Sequence, residues 1–539
     1  MKRSKLLIIG LVSVIVFSSY KVYRSDFFEI AKQIEIFTAL YKEINMNYVD
    51  EVNPAELMDT AITKMLDDLD PYTNFYNEQD VEDARINRSA SYTKLGLELQ
   101  NVSDKVVITN ITKDFAADSS GLKLADEIVS IDGSPIENFV TNLSEVLNGA
   151  PNTSVALKVK RNGEIKDIVL KRKLSKPTSV PFYGMADEKT GFIVLSKFTN
   201  TASEDVATAL LELKDQGAEQ LILDLRKNPG GLLSEAVNVC NIFLPKDQLI
   251  VYTKSKIESY NQTYSTKKEP IDTEMPLVVL INENSASASE IVSGTLQDLD
   301  RAVIIGARSF GKGLVQRPKP LKYGTQVKIT ISRYFLPSGR GIQALVYKDG
   351  ESVRKSIAKS NAFKTQNGRT VFDGGGIKPD IEVEAEQISD FSQTLLSDLI
   401  IFDFATAYAQ NNLDLDWKNF EVDNKVFSQF LDYIDGRDYS VKTTTDKKME
   451  DLLASAKEDH FNNKFLNSLE EVKSELKTQK KELYRDYKTQ ISAMISDEVI
   501  QHYAYNQGVY QHNVEKADVV KKALEVLSSP SKYKTVLNP

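Results

Sequence analysis

Short, almost uninterrupted apolar runs alternating with helical stretches constrain this chain most. Gln220-Leu-Ile-Leu-Asp-Leu225, Met275-Pro-Leu-Val-Val-Leu-Ile281 and Arg301 to Gly306 are six or seven residues long, and each reads as a buried strand. Ala202 to Gln216, Leu232 to Phe243 and a stretch ending near Leu299 carry the helical spacing instead. Gly191 to Phe198 adds a further strand, and Lys176-Pro-Thr-Ser-Val-Pro181 precedes the whole as a linker. The pattern predicts an alternating α/β domain over residues 176–385.

The ends of these strands carry the chemistry. After Ile281 the turn Asn282-Glu-Asn284 delivers Ser285, Ser287 and Ser289 to the start of a helix, where free backbone N–H groups can stabilise an oxyanion. The strand ending at Gly306 runs on into Ser309-Phe-Gly-Lys-Gly313, whose glycines let the backbone turn tightly beside Lys312. The strand ending at Leu225 leads to Arg226-Lys-Asn-Pro-Gly-Gly231, and Gly230 and Gly231 offer N–H groups without side-chain obstruction.

A Ser-His-Asp triad would need a distant C-terminal segment to reach back to these serines, because His460, His502 and His512 all lie in the last 80 residues. Cys240 is the only cysteine and sits in an amphipathic run, which suits a buried structural thiol. What remains is a Ser/Lys pair. It requires a neutral lysine, so burial must lower a reference pKa of ~10.4 by roughly three units. The same letters also fit a plainer description, since Ser287-Ala-Ser-Glu290 matches a helix capping box and Lys312 could be a solvated loop residue.

Ser285-Ala-Ser-Ala-Ser-Glu-Ile291, then Gln297-Asp-Leu-Asp-Arg-Ala302 and Ser309-Phe-Gly-Lys-Gly-Leu-Val-Gln316, resembles the signature of the C-terminal processing, or tail-specific, serine peptidases. The resemblance implies a crotonase-like α/β core. It implies Ser287 as nucleophile, Lys312, 25 positions later, as general base, and Gln316 as the group that orients the lysine. It further implies an oxyanion hole from the amide of Ala288 and that of Gly230 or Gly231. Asp298 shares the helix face of Ser287 but lies three turns, roughly 16 Å, away. It is read as structural, pairing with Arg301 or Arg226.

Residues 91–175 change character. Strands at Leu95 to Gln100, Lys105 to Ile111, Glu127 to Ile131, Val155 to Arg161 and Ile165 to Leu170, with helices near Ala116 and Asn138, predict a compact, partly open barrel. Gly121 to Gly133 resembles the G-L-x-x-G-D-x-I-x-x-I-D-G stretch of PDZ domains, with Ala125 where glycine is usual. Lys94-Leu95-Gly96-Leu97 resembles their carboxylate-binding loop, which implies capture of peptide C-termini beside Leu97 to Gln100.

Met1-Lys-Arg-Ser-Lys5 and the uncharged apolar run Leu6 to Tyr20 read as a signal peptide or signal anchor over residues 1–24. An uncleaved membrane anchor is favoured, because no A-x-A site and no nearby cysteine follow. It places the catalytic part on the extracytoplasmic, periplasmic side. Residues 25–90 form an N-terminal helical segment, with helices from Phe27 to about Tyr48 and from Pro54 to Leu69. Residues 386–539 form a charged helical region. Its apolar stripe, Leu469, Val472, Leu476, Leu483, Tyr487, Ile491, Ile495 and Val499, reads as one helix packed on its own domain, on a second subunit of a homodimer or on an adaptor protein.

A net charge of −9 gives no footprint for nucleic acid, and no H-E-x-x-H or comparable cluster calls for a metal; no cofactor is expected. The sequence therefore predicts a multidomain α/β protein, a PDZ-containing serine endopeptidase that acts on exported proteins through their C-terminal tails. Two alternatives stand beside it: a catalytically inactive PDZ scaffold and a crotonase-type acyl-CoA enzyme. The export segment and the PDZ insert argue against the second.

Overall fold

The computed structural model describes residues 27–81, 95–102, 105–139, 143–173, 178–348, 351–354, 360–384, 388–435, 443–514 and 516–538. The run Leu6 to Tyr20 and Lys94 lie outside the described residues. Among the described residues no helix is long and apolar enough to cross a membrane.

The chain divides into two units, the first holding residues up to Phe75 with 347–351. In it, α1 (27–47) is followed by α2 (Pro54–Asp67). The Asn53 side chain caps α2 by accepting from Ala55 N–H at 3.0 Å, and Pro54 occupies the first turn, where a missing N–H has no consequence. Tyr41 Oη donates to Pro54 O at 2.7 Å and ties the two helices together. The turn at Asp70-Pro71 closes on the Asp70 carboxylate, which accepts from Tyr72 N–H and from the Thr73 hydroxyl.

The second unit begins with the barrel. Strands β1 (Leu97–Val102), β2 (Lys105–Ile111), β3 (Glu127–Ile131), β4 (Ser154–Arg161) and β5 (Glu164–Lys171) pair in that order, all antiparallel, so β1 is an edge. Helices α3 (Ala116–Ser119) and α4 (Leu143–Leu147) accompany them. Alternation in β4 buries Val155, Leu157 and Val159 and exposes the residues between. The turn before Asp126 keeps its shape with alanine at position 125, at φ 66°, a left-handed conformation that glycine takes more readily. Arg161 clamps the buried Asp126 carboxylate with two bonds, of 2.6 and 2.7 Å.

The α/β core follows. Strands β6 (Phe182–Met185), β7 (Thr190–Val194), β8 (Gln220–Asp224), β11 (Leu277–Ile281), β12 (Val303–Gly306) and β15 (Ile381–Glu382) lie side by side, parallel except for β6 against β7. Every residue of β11 is buried, as expected of a strand covered on both faces. Helices α5 (Ala202–Asp215), α6 (Leu233–Phe243) and α7 (Ala288–Asp298) pack on one face through Val206, Leu210, Val239, Ile291 and Leu296. A second, antiparallel sheet joins β9 (Leu249–Lys254), β10 (Thr263–Ser265), β13 (Leu314–Pro320) and β14 (Gln326–Phe335), in the order β13-β14-β9-β10.

The register decides where the chain ends of the parallel strands meet. Asp224 sits beside Leu280, and Ile281 beside Gly306. The segments leaving β8, β11 and β12 therefore emerge together at the carboxyl edge of the sheet.

From residue 390 the chain is helical: α8 (Asp390–Ser397), α9 (Ile400–Asn411), α10 (Asn424–Asp435), α11 (Thr444–Glu458), α12 (Asn463–Asp486), α13 (Lys488–Val514), α14 (Asp518–Leu527) and α15 (Pro530–Leu537). The stripe read as one helix is two, because α12 ends at Asp486 and Tyr487 caps it. Ile491, Ile495 and Val499 of α13 are buried in a core with Phe404, Phe427 and Phe430, whereas Val472 of α12 is exposed. Val520, Ala523, Val526 and Leu537 cover the second face of the parallel sheet, against Ile222, Val278, Leu280 and Ile305.

Candidate active site

The three serines after β11 have separate fates. Ser285 is buried; its Oγ donates to Leu225 O at 2.8 Å and accepts from Asn282 N–H at 2.9 Å. Ser289 is buried too and donates to Asn228 O at 2.9 Å. Both pin the serine turn to the segment that leaves β8. Ser287 alone is partly open to solvent, and its backbone is at φ 57° and ψ −112°. That conformation is costly for a residue with a Cβ, by about 1–3 kcal/mol, and persists only where the surroundings impose it.

Glu290 imposes much of it. The carboxylate is fully buried. Its Oε2 accepts from Ser287 N–H at 2.8 Å and from Lys312 N–H at 2.8 Å. Its Oε1 accepts from Gly311 N–H at 2.7 Å and from the Ser309 hydroxyl at 2.5 Å. The backbone nitrogens of Ser287 and Lys312 thus share one oxygen and stand within twice that bond length of each other. Burial raises the carboxyl pKa on balance, although the four donors pull it down. A protonated acid could not accept all four, so the arrangement calls for the ionised form. Tyr334 of β14 makes a second bridge, its hydroxyl donating to Ser287 O at 3.3 Å and also to Lys312 O.

The turn after β8 forms the opposite wall. Asn228 is buried, with Nδ2 donating to Leu195 O at 2.7 Å and Oδ1 accepting from Gly230 N–H at 2.8 Å. Ala286 N–H donates to Asn228 O at 3.0 Å. Gly230 lies so close that a Cβ there would fall 2.8 Å from Ser287 Cβ and 2.9 Å from Ala288 N, which excludes any side chain. Gly231, at φ 153°, is pressed against Phe198 O in the same way. Arg226 is locked to Asp224 by paired bonds of 2.6 to 3.0 Å.

The structure thus brings Ser287, Ala288 and Gly230 together with the backbone of Lys312, while Gly231 is packed against Phe198. Gln316, on β13 beyond a bulge at Val315, donates from Nε2 to Thr330 Oγ1 at 3.2 Å. Leu95 is buried in the barrel core, and its carbonyl accepts from Ala117 N–H, while Gly96 at φ 72° lies under Phe115. Leu97 opens the edge strand β1. Asp298 has another partner than Arg301 or Arg226: it pairs at 2.8 Å with Arg340, buried with it, and accepts from Ser338 N–H. Arg226 is already committed to Asp224, and Arg301 donates to the carbonyls of Phe243 and Asp272. Cys240 is fully buried, and burial pushes its thiol pKa up. His502 and His512 bond within the helical region, to Thr406 and to Ser496.

Glu290, Asn228 and Tyr334 were absent from the residues picked out of the sequence. The S-x-x-E spacing did mark Glu290, but only as a helix cap; three of its four donors lie 19 to 22 residues away in the lysine loop.

Comparison with known proteins finds likenesses along most of the chain. Residues 189–352 match peptidase family S41, residues 93–171 the PDZ domain, and residues 391–527 the probable PDZ-protease C-terminal helical domain. A probable CtpA-like serine protease of Staphylococcus aureus (strain MRSA252) is 34% identical over 309 residues, 56% of this chain and 61% of that protein. A second, of Staphylococcus haemolyticus (strain JCSC1435), is 31% identical over 317 residues, 58% of this chain and 63% of that protein. The chain therefore spans less than two thirds of the length of these relatives. The photosystem II D1 C-terminal processing protease is 25% identical and aligns over 65% of this chain and 93% of its own, with a TM-score of 0.37. The S41 match falls on the segment that holds Ser287, Glu290 and Lys312, and the PDZ match on the barrel before it: the chain joins a segment of peptidase family S41 to a PDZ domain and is similar to CtpA-like serine proteases.

Proposed function

We propose that the protein is a serine endopeptidase in which Ser287 is the nucleophile and Lys312 the general base. The observation that carries this is the shared Glu290 oxygen, which holds the backbone of a strained, accessible serine beside that of the lysine. Ser287 Oγ passes its proton to the neutral Lys312 amine as it attacks the scissile carbonyl carbon. The lysine then gives that proton to the departing amine, and water releases the acyl group by the same route. The oxyanion is met by Ala288 N–H and, because Gly230 N–H is committed to Asn228, by that of Gly231. Gln316 orients the lysine from β13.

The barrel supplies the second half of the proposal. The loop Lys94 to Leu97 takes a substrate's C-terminal carboxylate, and its last residues add to the edge of β1. Substrates are exported polypeptides, met on the extracytoplasmic side, where residues 6–20 hold the protein at the membrane. Domain limits of 25–90, 91–175, 176–385 and 386–539 fit this division of labour.

A casein digest is the test. Wild type should cleave, while Ser287→Ala and Lys312→Arg should not, since arginine keeps the charge and cannot act as a base near neutral pH. Undiminished cleavage by either variant would overturn the mechanism.

A further inference from the structure

Between Asp300 and Asp349 the chain has no aspartate or glutamate but ten lysines and arginines, in a protein whose net charge is −9. Arg301, Arg308 and Arg340 are engaged in the core, and Lys312 belongs to the site. Most of the others lie on the β13–β14 hairpin, which starts two residues after Lys312 and also carries Gln316 and Tyr334.

Register sorts these cations. Arg317 faces Ile329, Lys319 faces Val327 and Leu314 faces Arg333 across the hairpin, while Lys254 of β9 faces Arg333 from the other side. Positions 327, 329, 331 and 333 share one face of β14. Arg317, Lys319, Arg333 and Lys254 therefore lie on a single face of the sheet. Aromatic rings hold three of them there. Tyr260 lies 5.9 Å from the Arg317 guanidinium and 5.2 Å from Lys319 Nζ. Lys254 Nζ stands 5.4 and 5.1 Å from the stacked rings of Tyr252 and Phe335. Such contacts fix cations without neutralising them. Among the described residues none of Lys254, Arg317, Lys319, Lys328 and Arg333 forms an ion pair. The acidic groups at the margins are Glu258, two residues before Tyr260, and Glu78, beside the hairpin tip at Gly324.

We propose that this face of β9, β13 and β14 is a docking strip for acidic segments of polypeptide substrates, which selects them before they enter the site. This rests on the peptidase reading above. A polypeptide suits the strip better than a nucleic acid or an anionic membrane. The cations are few and sit on one hairpin joined to the site and on the strand beside it, and the acidic remainder of the protein repels extended polyanions. A one-signed surface of this kind raises the capture of oppositely charged partners by about tenfold or more at low salt.

The test uses the full chain and two unfolded peptides with the same cleavage segment and C-terminus, flanked by six residues that are either Asp/Glu or Ser/Asn. At low salt kcat/KM should favour the acidic peptide by about tenfold, and the ratio should fall toward one at high salt, where screening is short-ranged. R317Q/K319Q should bring the ratio near one at low salt, whereas R317K/K319R should restore it. Equal cleavage of both peptides by wild type would overturn the strip and leave the peptidase intact. Fluorescence anisotropy of the labelled peptides on S287A reads the same preference as binding, without cleavage. Equal binding overturns the strip even if the peptidase reading has failed. If vesicles of anionic lipid or single-stranded DNA bind more tightly than the acidic peptide, through the same two residues, the strip serves another partner and the proposal is wrong.

Discussion

Glu290→Gln is the substitution whose consequence can be worked furthest from the structure. Glutamine keeps the shape but turns one acceptor oxygen into an NH2 group. If the NH2 replaces Oε2, the N–H groups of Ser287 and Lys312 both lose their acceptor; if it replaces Oε1, Gly311 N–H is stranded while the Ser309 hydroxyl can turn to accept. The second outcome is the less costly. A stranded buried donor costs about 1–3 kcal/mol, and the remaining bonds lose the extra strength of an ionised acceptor. The expected destabilisation is about 2–4 kcal/mol, seen as a lower midpoint in urea or heat. Activity should fall further than the unfolded fraction explains, because Gly311, next to Lys312, loses its acceptor and the lysine loop is no longer held in place beside Ser287. Casein cleavage should therefore be measured at a temperature where circular dichroism shows the variant fully folded, with kcat and KM resolved separately. A loss confined to kcat, of about a hundredfold, is expected from displacement of catalytic groups. If Glu290→Gln melts within 0.5 kcal/mol of wild type, or keeps full kcat, the carboxylate does not hold the two loops as described.

Ser285→Ala and Ser289→Ala should each weaken folding by about 1–2 kcal/mol, since each removes a buried hydroxyl bond to the turn after β8, yet leave cleavage by the folded fraction; loss of activity as complete as in Ser287→Ala would refute the distinction. Ala125→Gly should stabilise the barrel by about 0.5–1 kcal/mol by relieving a left-handed alanine, read from hydrogen exchange of β2 and β3, and unchanged or faster exchange would count against it. Burial, and then the neighbouring Asp497, pushes Glu498 up to about 7. Its folded pKa lies above the unfolded value of about 4.3, so its contribution to stability is full below that value and lost as pH rises through about 7. Glu498→Gln should accordingly stabilise by about 1–3 kcal/mol at pH 8.5 and hardly at pH 4.5; equal urea midpoint shifts at both pH values would contradict the sign.

What could be read from the letters alone follows physical range. Strands β8, β11 and β12 were legible because a strand covered on both faces must be apolar along its whole length, and the turns after them because glycine and serine have local meanings. Composition could not separate Ser285 and Ser289 from Ser287, since their difference lies in bonds to Leu225 and Asn228, some 60 residues upstream. Glu290 looked like a local cap for the same reason. Asp298 was assigned to arginines near in sequence or motif, whereas its partner Arg340 arrives from a loop beyond β14. In α14, Val520, Ala523 and Val526 have helical spacing, but nothing in that spacing says which surface the helix covers.

That last surface has a consequence for how the molecule is made. Tyr533 Oη bonds both N–H and O of Leu277, so a residue more than 250 positions away closes onto the first residue of β11. During synthesis the serine and lysine loops are complete long before the last helices, α14 and α15, appear. Until then Ile222, Val278, Leu280 and Ile305 face solvent on one side of the parallel sheet. A nascent chain at that stage is a sticky, half-clad sheet prone to aggregation. A chain terminated after α12 is therefore expected to aggregate rather than fold as a smaller protein, which sedimentation of the truncated product would show.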